Sequence, residues 1–406
     1  MWVKIMSLKG QYQFAVDYEE RINFDRLRRE RLENAKRMLK KHDLDALLTF
    51  MPEHNRYLTG EKGMESYWWL SEYTLLPRGG EPYLFQRGVE YWRMKETMPW
   101  MEGRLRLVPS GPIEEMGLGR TTFGREFADE IKKILKEHGV EKGKIGIDVM
   151  NYPVYKALSD AGLTVVDGMP ALIEAKMIKT RDELELHRIS CAIADAALWE
   201  AKEYIKPGLR EYDVSSILIS TMRRLGAENY IRGIIASGER TNPYYRIVGG
   251  SDRILRLGDV VVIDCVMNYM GYWADITRTF LVGSKASEEQ KEIHKEAYDL
   301  LYAGIKQVGP GKTTADVAAQ WYEPGVFKKW ALDVGHGLGI TLHNEAPWIH
   351  YRSFEAPVEF KPGMVLALET WAGKGRQGVR LEENLIVTET GYEIISKAPF
   401  DERLQE

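Results

Sequence analysis

Apolar positions recur along this chain in two styles, one in each part. From Asp25 to Lys41, the residues Leu27, Leu32, Ala35, Met38 and Leu39 fall largely on one helical face with Arg, Lys and Glu elsewhere, which predicts an amphipathic helix. A strand is predicted at Ala46–Phe50, followed by the polar stretch Pro52-Glu-His-Asn-Arg-Tyr-Leu-Thr-Gly60, read as a loop at the end of an α/β layer. A strand at Pro82–Gln86, a helix at Arg125–His138 built on Phe127, Ile131, Ile134 and Leu135, and a strand at Lys144–Asp148 continue the alternation. This first part reads as a three-layer α/β domain.

The style changes near residue 175. Thr180-Arg-Asp-Glu183 matches a capping box and predicts a helix toward Tyr204, ended by Lys206-Pro207-Gly208. A helix at Tyr212–Leu225 and a strand at Tyr230–Ala236 lead to the turn SGERTNP and then to the most apolar stretch, Leu257 to Gly283. That stretch predicts a hairpin, Val260–Cys265 and Tyr272–Val282, closed at Tyr269-Met270-Gly271 and rich in β-branched and aromatic residues. A long helix from Glu288 follows, closed by Gly309-Pro310-Gly311. Gly311-Lys312-Thr313 is not a nucleotide loop, because Lys306 stands where the first glycine should be and the segment follows a helix. The expected organisation is residues 1–175 as one domain and 176–406 as a second.

The composition narrows the partners. A net charge of −4, with 56 basic and 60 acidic residues, gives no global field toward nucleic acid or an anionic membrane, so a small peptide or small-molecule substrate is expected. Only Cys191 and Cys265 are present, too few for a disulfide framework, and no apolar run reaches spanning length. A cytoplasmic protein is the expectation. Trp68 and Trp69, beside Glu65 and Glu72, form an aromatic cluster able to pack against a neighbour or attract a cation.

Candidate chemistry lies in the second part. Asp264 follows four apolar residues and Asp275 sits between Ala274 and Ile276, so both carboxylates enter a low-polarity setting that charges tolerate only when paired or metal-bound. Each could instead cap a turn or pair with an arginine such as Arg278. Glu369 ends the apolar run GMVLALE, and Glu382 follows Val379-Arg380-Leu381. His336 stands among glycines in GHGLG, with His343 seven positions on in LHNEAP. Four carboxylates and one imidazole suit two divalent ions bridged by carboxylates better than a structural zinc site, which would use thiolates. Hydrolysis, or another reaction that needs a Lewis acid beside a proton acceptor, is the chemistry implied.

These residues carry a family resemblance. The order Asp264, Asp275, His336, Glu369, Glu382, together with GHGLGITLHNEAP and VRLEEN, resembles the pita-bread metallopeptidases: methionine aminopeptidase, aminopeptidase P and prolidase. Asn55-Arg-Tyr-Leu-Thr-Gly60 and Lys179-Thr-Arg-Asp-Glu-Leu184 are similar to the first domain and inter-domain helix of the prolidase and creatinase branch. The resemblance implies an α+β protein, in which a curved antiparallel pita-bread sheet backed by helices follows a creatinase-like α/β domain. It further implies a homodimer with two divalent ions per subunit (Mn, Co, Fe or Zn) and cleavage of Xaa-Pro dipeptides or N-terminal Xaa-Pro bonds. Asp264, Asp275, His336, Glu369 and Glu382 would hold metal, Glu369 would also accept the proton of the attacking water, and His343 would bond the substrate carbonyl or its oxyanion. Arg380 would orient a substrate carboxylate.

One departure stands out. Prolidases carry a histidine in a Pro-His-Gly setting before the hairpin, whereas this chain has Thr241-Asn-Pro-Tyr-Tyr-Arg246. That turn resembles the dimethylsulfoniopropionate lyases of the same fold, in which case Tyr244, Tyr245, Trp68 and Trp69 could surround a sulfonium. Against the lyase stand His343 and Val266, the latter at the place of that branch's additional aspartate.

Overall fold

The computed structural model describes residues 21–62, 72–108, 120–140, 143–149, 152–243, 249–322 and 334–405. Its first domain is a six-stranded mixed sheet, β1 Ala46–Thr49, β2 Tyr73–Pro77, β3 Tyr83–Gln86, β4 Leu105–Leu107, β5 Lys144–Ile147 and β6 Thr164–Asp167, in the order β4-β3-β2-β1-β5-β6. Central β1 is buried at every position, which explains why Ala46-Leu-Leu-Thr49 reads as a continuous apolar run without alternation. One face of the sheet packs on Phe127, Ile131, Ile134 and Leu135, the residues predicted to form the helix face there. The other face packs on Leu27, Ala35, Met38 and Leu39 of α1, Phe24–Lys41.

The stretch expected to be a loop is a helix, α2, Pro52–Thr59. Its punctuation is legible in retrospect: Pro52 in the first turn, and Gly60 closing it at φ 78 in the left-handed region. Polarity misled because polar residues form its buried face. His54 Nδ1 lies 2.8 Å from Asp148 Oδ2, and Thr49 Oγ1 donates to Asn55 Oδ1 at 2.8 Å, so burial leaves these atoms satisfied. Further helices of the first domain are α3 Gly88–Thr97, α4 Arg120–Glu137, α5 Tyr152–Asp160 and α6 Met169–Met177.

The second domain opens with α7, Arg181–Tyr204, where the Glu183 carboxylate reaches back to the Thr180 amide at 2.8 Å as the capping box predicts. After α8, Glu211–Arg224, come β7 Asn229–Ser237, β8 Val260–Tyr269 and β9 Tyr272–Leu281, an antiparallel sheet in the order β7-β8-β9. The hairpin is longer than predicted, with Tyr269 facing Tyr272 across a two-residue turn in which Met270 (φ 50) and Gly271 (φ 86) both lie in the left-handed region. Following α9 Glu288–Ile305 and α10 Thr314–Ala318, a second antiparallel sheet contains β10 Gly335–Gly337, β11 Trp348–Ile349, β12 Val365–Lys374, β13 Gln377–Val387 and β14 Tyr392–Ile394, in the order β11-β10-β12-β13-β14. Helices α7 and α8 cover the first sheet, whereas α9 covers the second. Among the described residues, no helix is long and apolar enough to cross a membrane.

The two sheets meet where β9 runs beside β13. Thr279 Oγ1 donates to the Arg380 carbonyl at 2.8 Å, and Asn384 accepts the Asp275 amide at 3.1 Å while donating to the Asp275 carbonyl. The seam between the sheets is therefore tied by polar bonds as well as by apolar packing.

Candidate metal centre

Strand periodicity brings the predicted acids together. In β8 and β9, Asp264 faces Thr277 and Val266 faces Asp275, so the two aspartates are diagonal neighbours on one face. In the other sheet Glu369 is directly opposite Glu382, and His336 is opposite Ala367, two residues from Glu369. His336, Glu369 and Glu382 thus share one face as well. A one-residue slip of any of these strands would turn its ligand away.

Across the seam, Asp275, His336 and Glu382, all buried, place one ligand atom each within 4.8 Å of one another. His336 Nε2 is 3.7 Å from Asp275 Oδ2, and its Nδ1 lies 3.0 Å from the Gly337 carbonyl oxygen, which orients the ring with Nε2 toward the acids. Thr277 Oγ1 donates to Glu382 Oε2 at 2.8 Å. Arg380 joins the remaining pair, with Nη1 on Asp264 Oδ2 and Nη2 on Glu369 Oε2. Arg278, the other partner considered for the aspartates, instead bonds Glu383 and the Ala398, Thr277 and Glu382 carbonyls.

Four carboxylates therefore share the site with the Arg380 guanidinium, which contacts two of them, and the electrostatics reflect it. Burial, then the Asp264 charge, push the Asp275 carboxyl up to about 6. Burial, with Asp275 and Glu369 nearby, pushes Glu382 well above the carboxylate range. Burial works against a charged His336, but its contact with Asp275 and the Glu369 charge outweigh this and raise its pKa. Three buried oxygens at the site, Asp264 Oδ1, Asp275 Oδ1 and Glu382 Oε1, have no hydrogen-bond partner. Unpaired carboxylate oxygens beside an imidazole nitrogen, with no thiolate in the set, fit hard or borderline divalent cations.

His343 is exposed, its ring centroid 5.0 Å from that of His336. Trp348, which the sequence reading passed over, lies 5.5 Å from His336 and 5.9 Å from His343 by the same measure. Its signal was weak, since β11 is only two residues long. Thr277 and Asn384 were also missed, as nothing in their local sequence marks them. Trp68, Trp69, Tyr244 and Tyr245 lie outside the described residues. The neighbouring turn is partly visible: Trp371 Nε1 donates to the Thr241 carbonyl at 3.3 Å, and Asn242 Nδ2 to the Gly375 carbonyl at 2.9 Å.

This fold and donor set define a metallopeptidase. The chain belongs to metallopeptidase family M24, whose family model matches residues 185–389, while that of the creatinase/prolidase N-terminal domain matches residues 31–178. It is 27% identical over 378 residues to an Xaa-Pro dipeptidase of Pyrococcus furiosus, covering 91% of this chain and 98% of that protein. An Xaa-Pro dipeptidase structure from Bacillus anthracis superimposes with a TM-score of 0.75 at 25% identity, covering 92% of this chain and 98% of the other. A dimethylsulfoniopropionate lyase of Roseovarius nubinhibens is 27% identical over 296 residues, 68% of this chain and 65% of that one.

Proposed function

We propose that this M24 metallopeptidase uses two divalent ions per subunit to hydrolyse Xaa-Pro dipeptides, or the N-terminal Xaa-Pro bond of short peptides, and acts as a cytoplasmic homodimer of chains divided near residue 175. The observation that carries the reading is the buried convergence of Asp275, His336 and Glu382 with three unpartnered carboxylate oxygens around it. The dipeptidase relative, matched over nearly its whole length, supports the substrate class.

In this reading Asp264, Asp275, His336, Glu369 and Glu382 hold the ions, which when bound supply an acidified water and a Lewis acid for the scissile carbonyl. Glu369, less buried than Asp264, accepts the proton of the attacking water and passes it to the leaving nitrogen. Exposed His343 donates to the carbonyl oxygen as it gains charge. Arg380, with both terminal nitrogens on carboxylates, bridges Asp264 and Glu369 and is the residue that would orient a substrate carboxylate once these acids hold metal.

The test is elemental analysis of the purified protein, combined with assays of Xaa-Pro dipeptides and longer Xaa-Pro peptides after loading with Mn or Co. Two metals per chain with release of free amino acid is the expected result. A metal-loaded protein that cleaves none of these peptides overturns the reading. The lyase relative and the turn without its histidine favour a second reading, lysis of a small charged substrate, for which release of dimethyl sulfide from dimethylsulfoniopropionate is the readout.

A further inference from the structure

Behind the His343 loop lies a charged cluster that the chemistry above does not use. The Glu345 carboxylate is fully buried and sits 3.1 Å from Lys176 Nζ and 3.3 Å from Lys179 Nζ, both lysines being almost wholly buried too. Lys176 lies in the last turn of α6, which packs on the first domain at the junction of the two, and Lys179 in the connection that follows. Lys176 Nζ also donates to Thr341 Oγ1 at 2.8 Å and to the Asn344 carbonyl at 3.0 Å. Thr341 in turn donates its hydroxyl at 2.7 Å, and its amide at 3.2 Å, to Glu345 Oε1.

One ammonium group therefore ties down the chain on both sides of His343. The loop folds back closely enough that a Cβ on Gly339 would meet the Glu345 carboxyl carbon at 2.4 Å, and one on Gly337 the Ala346 carbonyl oxygen at 2.4 Å. Asn344 Nδ2 also touches Met51 Sδ, at 3.9 Å, where β1 of the first domain gives way to α2. A tie needed only for stability is made as well by apolar side chains, because desolvating three charges offsets much of their attraction. What the ions add is directional geometry, fixed at a loop whose tip is an exposed imidazole.

We propose that Lys176 is a positioning residue: acting through Thr341, Asn344 and Glu345, it holds the His343 imidazole beside His336 and Trp348, so that the first domain governs the reactivity of the second. This rests on the role given to His343 above. It differs from simple closure of the pocket by the first domain, because the contact is to the backbone and side chains that carry the reacting group. Lys176→Met should then act on turnover far more than on substrate binding.

The experiment compares Lys176→Met, the near-isosteric Thr341→Val, His343→Ala and the Lys176→Met/His343→Ala double variant, all metal-loaded, on one Xaa-Pro dipeptide. Lys176→Met is expected to lower kcat about 10- to 100-fold, as sub-ångström misplacement of a reacting group does, with KM and metal content little changed. Adding Lys176→Met to His343→Ala should cost nothing more. An unchanged kcat, or a loss that multiplies in the His343→Ala background, overturns the proposal. If Lys176→Met does not fold, Thr341→Val decides by the same criteria. A readout independent of turnover is the His343 imidazole NMR signal of the zinc-loaded protein with isotope-labelled histidine, assigned by its loss in His343→Ala. It should shift in Lys176→Met or Thr341→Val, and an unmoved signal overturns the proposal. Should the wild-type protein cleave no Xaa-Pro peptide, the peptidase reading fails, and the NMR comparison alone decides whether Lys176 positions the imidazole.

Discussion

Asp275→Asn distinguishes a metal ligand from a structural acid by the sign of its effect. In the metal-free protein burial and the Asp264 charge raise the Asp275 pKa from 3.8 to about 6. That displacement corresponds to about 3 kcal/mol between the protonated and charged forms. Because the folded value lies above the unfolded one, the contribution of Asp275 to stability is greatest below pH 3.8, falls as pH climbs to about 6, and is flat beyond. At pH 8 the chelated wild-type protein therefore carries the whole penalty. Asparagine removes the charge but leaves a buried amide to satisfy, so the chelated variant should be more stable by up to about 2 kcal/mol. With Mn or Co in excess the order should reverse. The wild-type protein gains about 2.7 kcal/mol for metal at a hundred times its dissociation constant, and the variant gains much less. Urea denaturation at pH 8, with chelator and with metal, measures both halves. An Asp275→Asn protein that is less stable under chelator, or gains as much from metal as the wild type, would refute the argument.

Glu369→Gln should lower kcat by about 10²- to 10⁴-fold, the usual contribution of a proton-transfer group, while circular dichroism stays near wild type; retained turnover would remove Glu369 as the proton acceptor. Trp348→Ala should change the ranking of Xaa-Pro peptides by the size of the Xaa side chain, since this ring lies beside both site histidines, and an unchanged ranking in kcat/KM counts against that placement. His187 predicts acid sensitivity away from the site. Burial and the Lys179 charge lower its pKa from 6.5 to about 3, so the folded state keeps it neutral, and stability present above pH 6.5 is lost as pH falls toward 3. The loss reaches about 3 kcal/mol by pH 4, and His187→Gln should show a shallower acid limb in chelated urea titrations.

The site was legible where sequence and environment conflict. Asp264, Asp275, Glu369 and Glu382 are each an acid in a run of strand residues that belong inside, and a two-residue period then fixes which face they share. What stayed hidden depends on distant partners. Lys176 and Glu345 look like surface charges until their 3.1 Å contact is known, and α2 reads as a loop until Asp148 and Thr49 are seen to bond its buried His54 and Asn55. Arg380 also depends on distant partners: the sequence offers it to a substrate carboxylate, and side-chain parity puts it on the face of Glu382, where it contacts Asp264 and Glu369.

The seam explains why a metal site belongs here. One sheet supplies Asp264 and Asp275, the other His336, Glu369 and Glu382, and the two sets belong to separate backbone ladders. Side-chain bonds from Thr277, Thr279 and Asn384 already align the sheets, so the ligands are placed before any ion arrives. The excess negative charge that remains is the cost of that preorganisation, concentrated on oxygens with no protein partner. A cation bridging both sheets would cancel the repulsion and join the two halves of the domain. Metal should therefore slow the opening of the β9–β13 seam more than that of the first domain's sheet, and amide exchange with and without metal reads that difference directly.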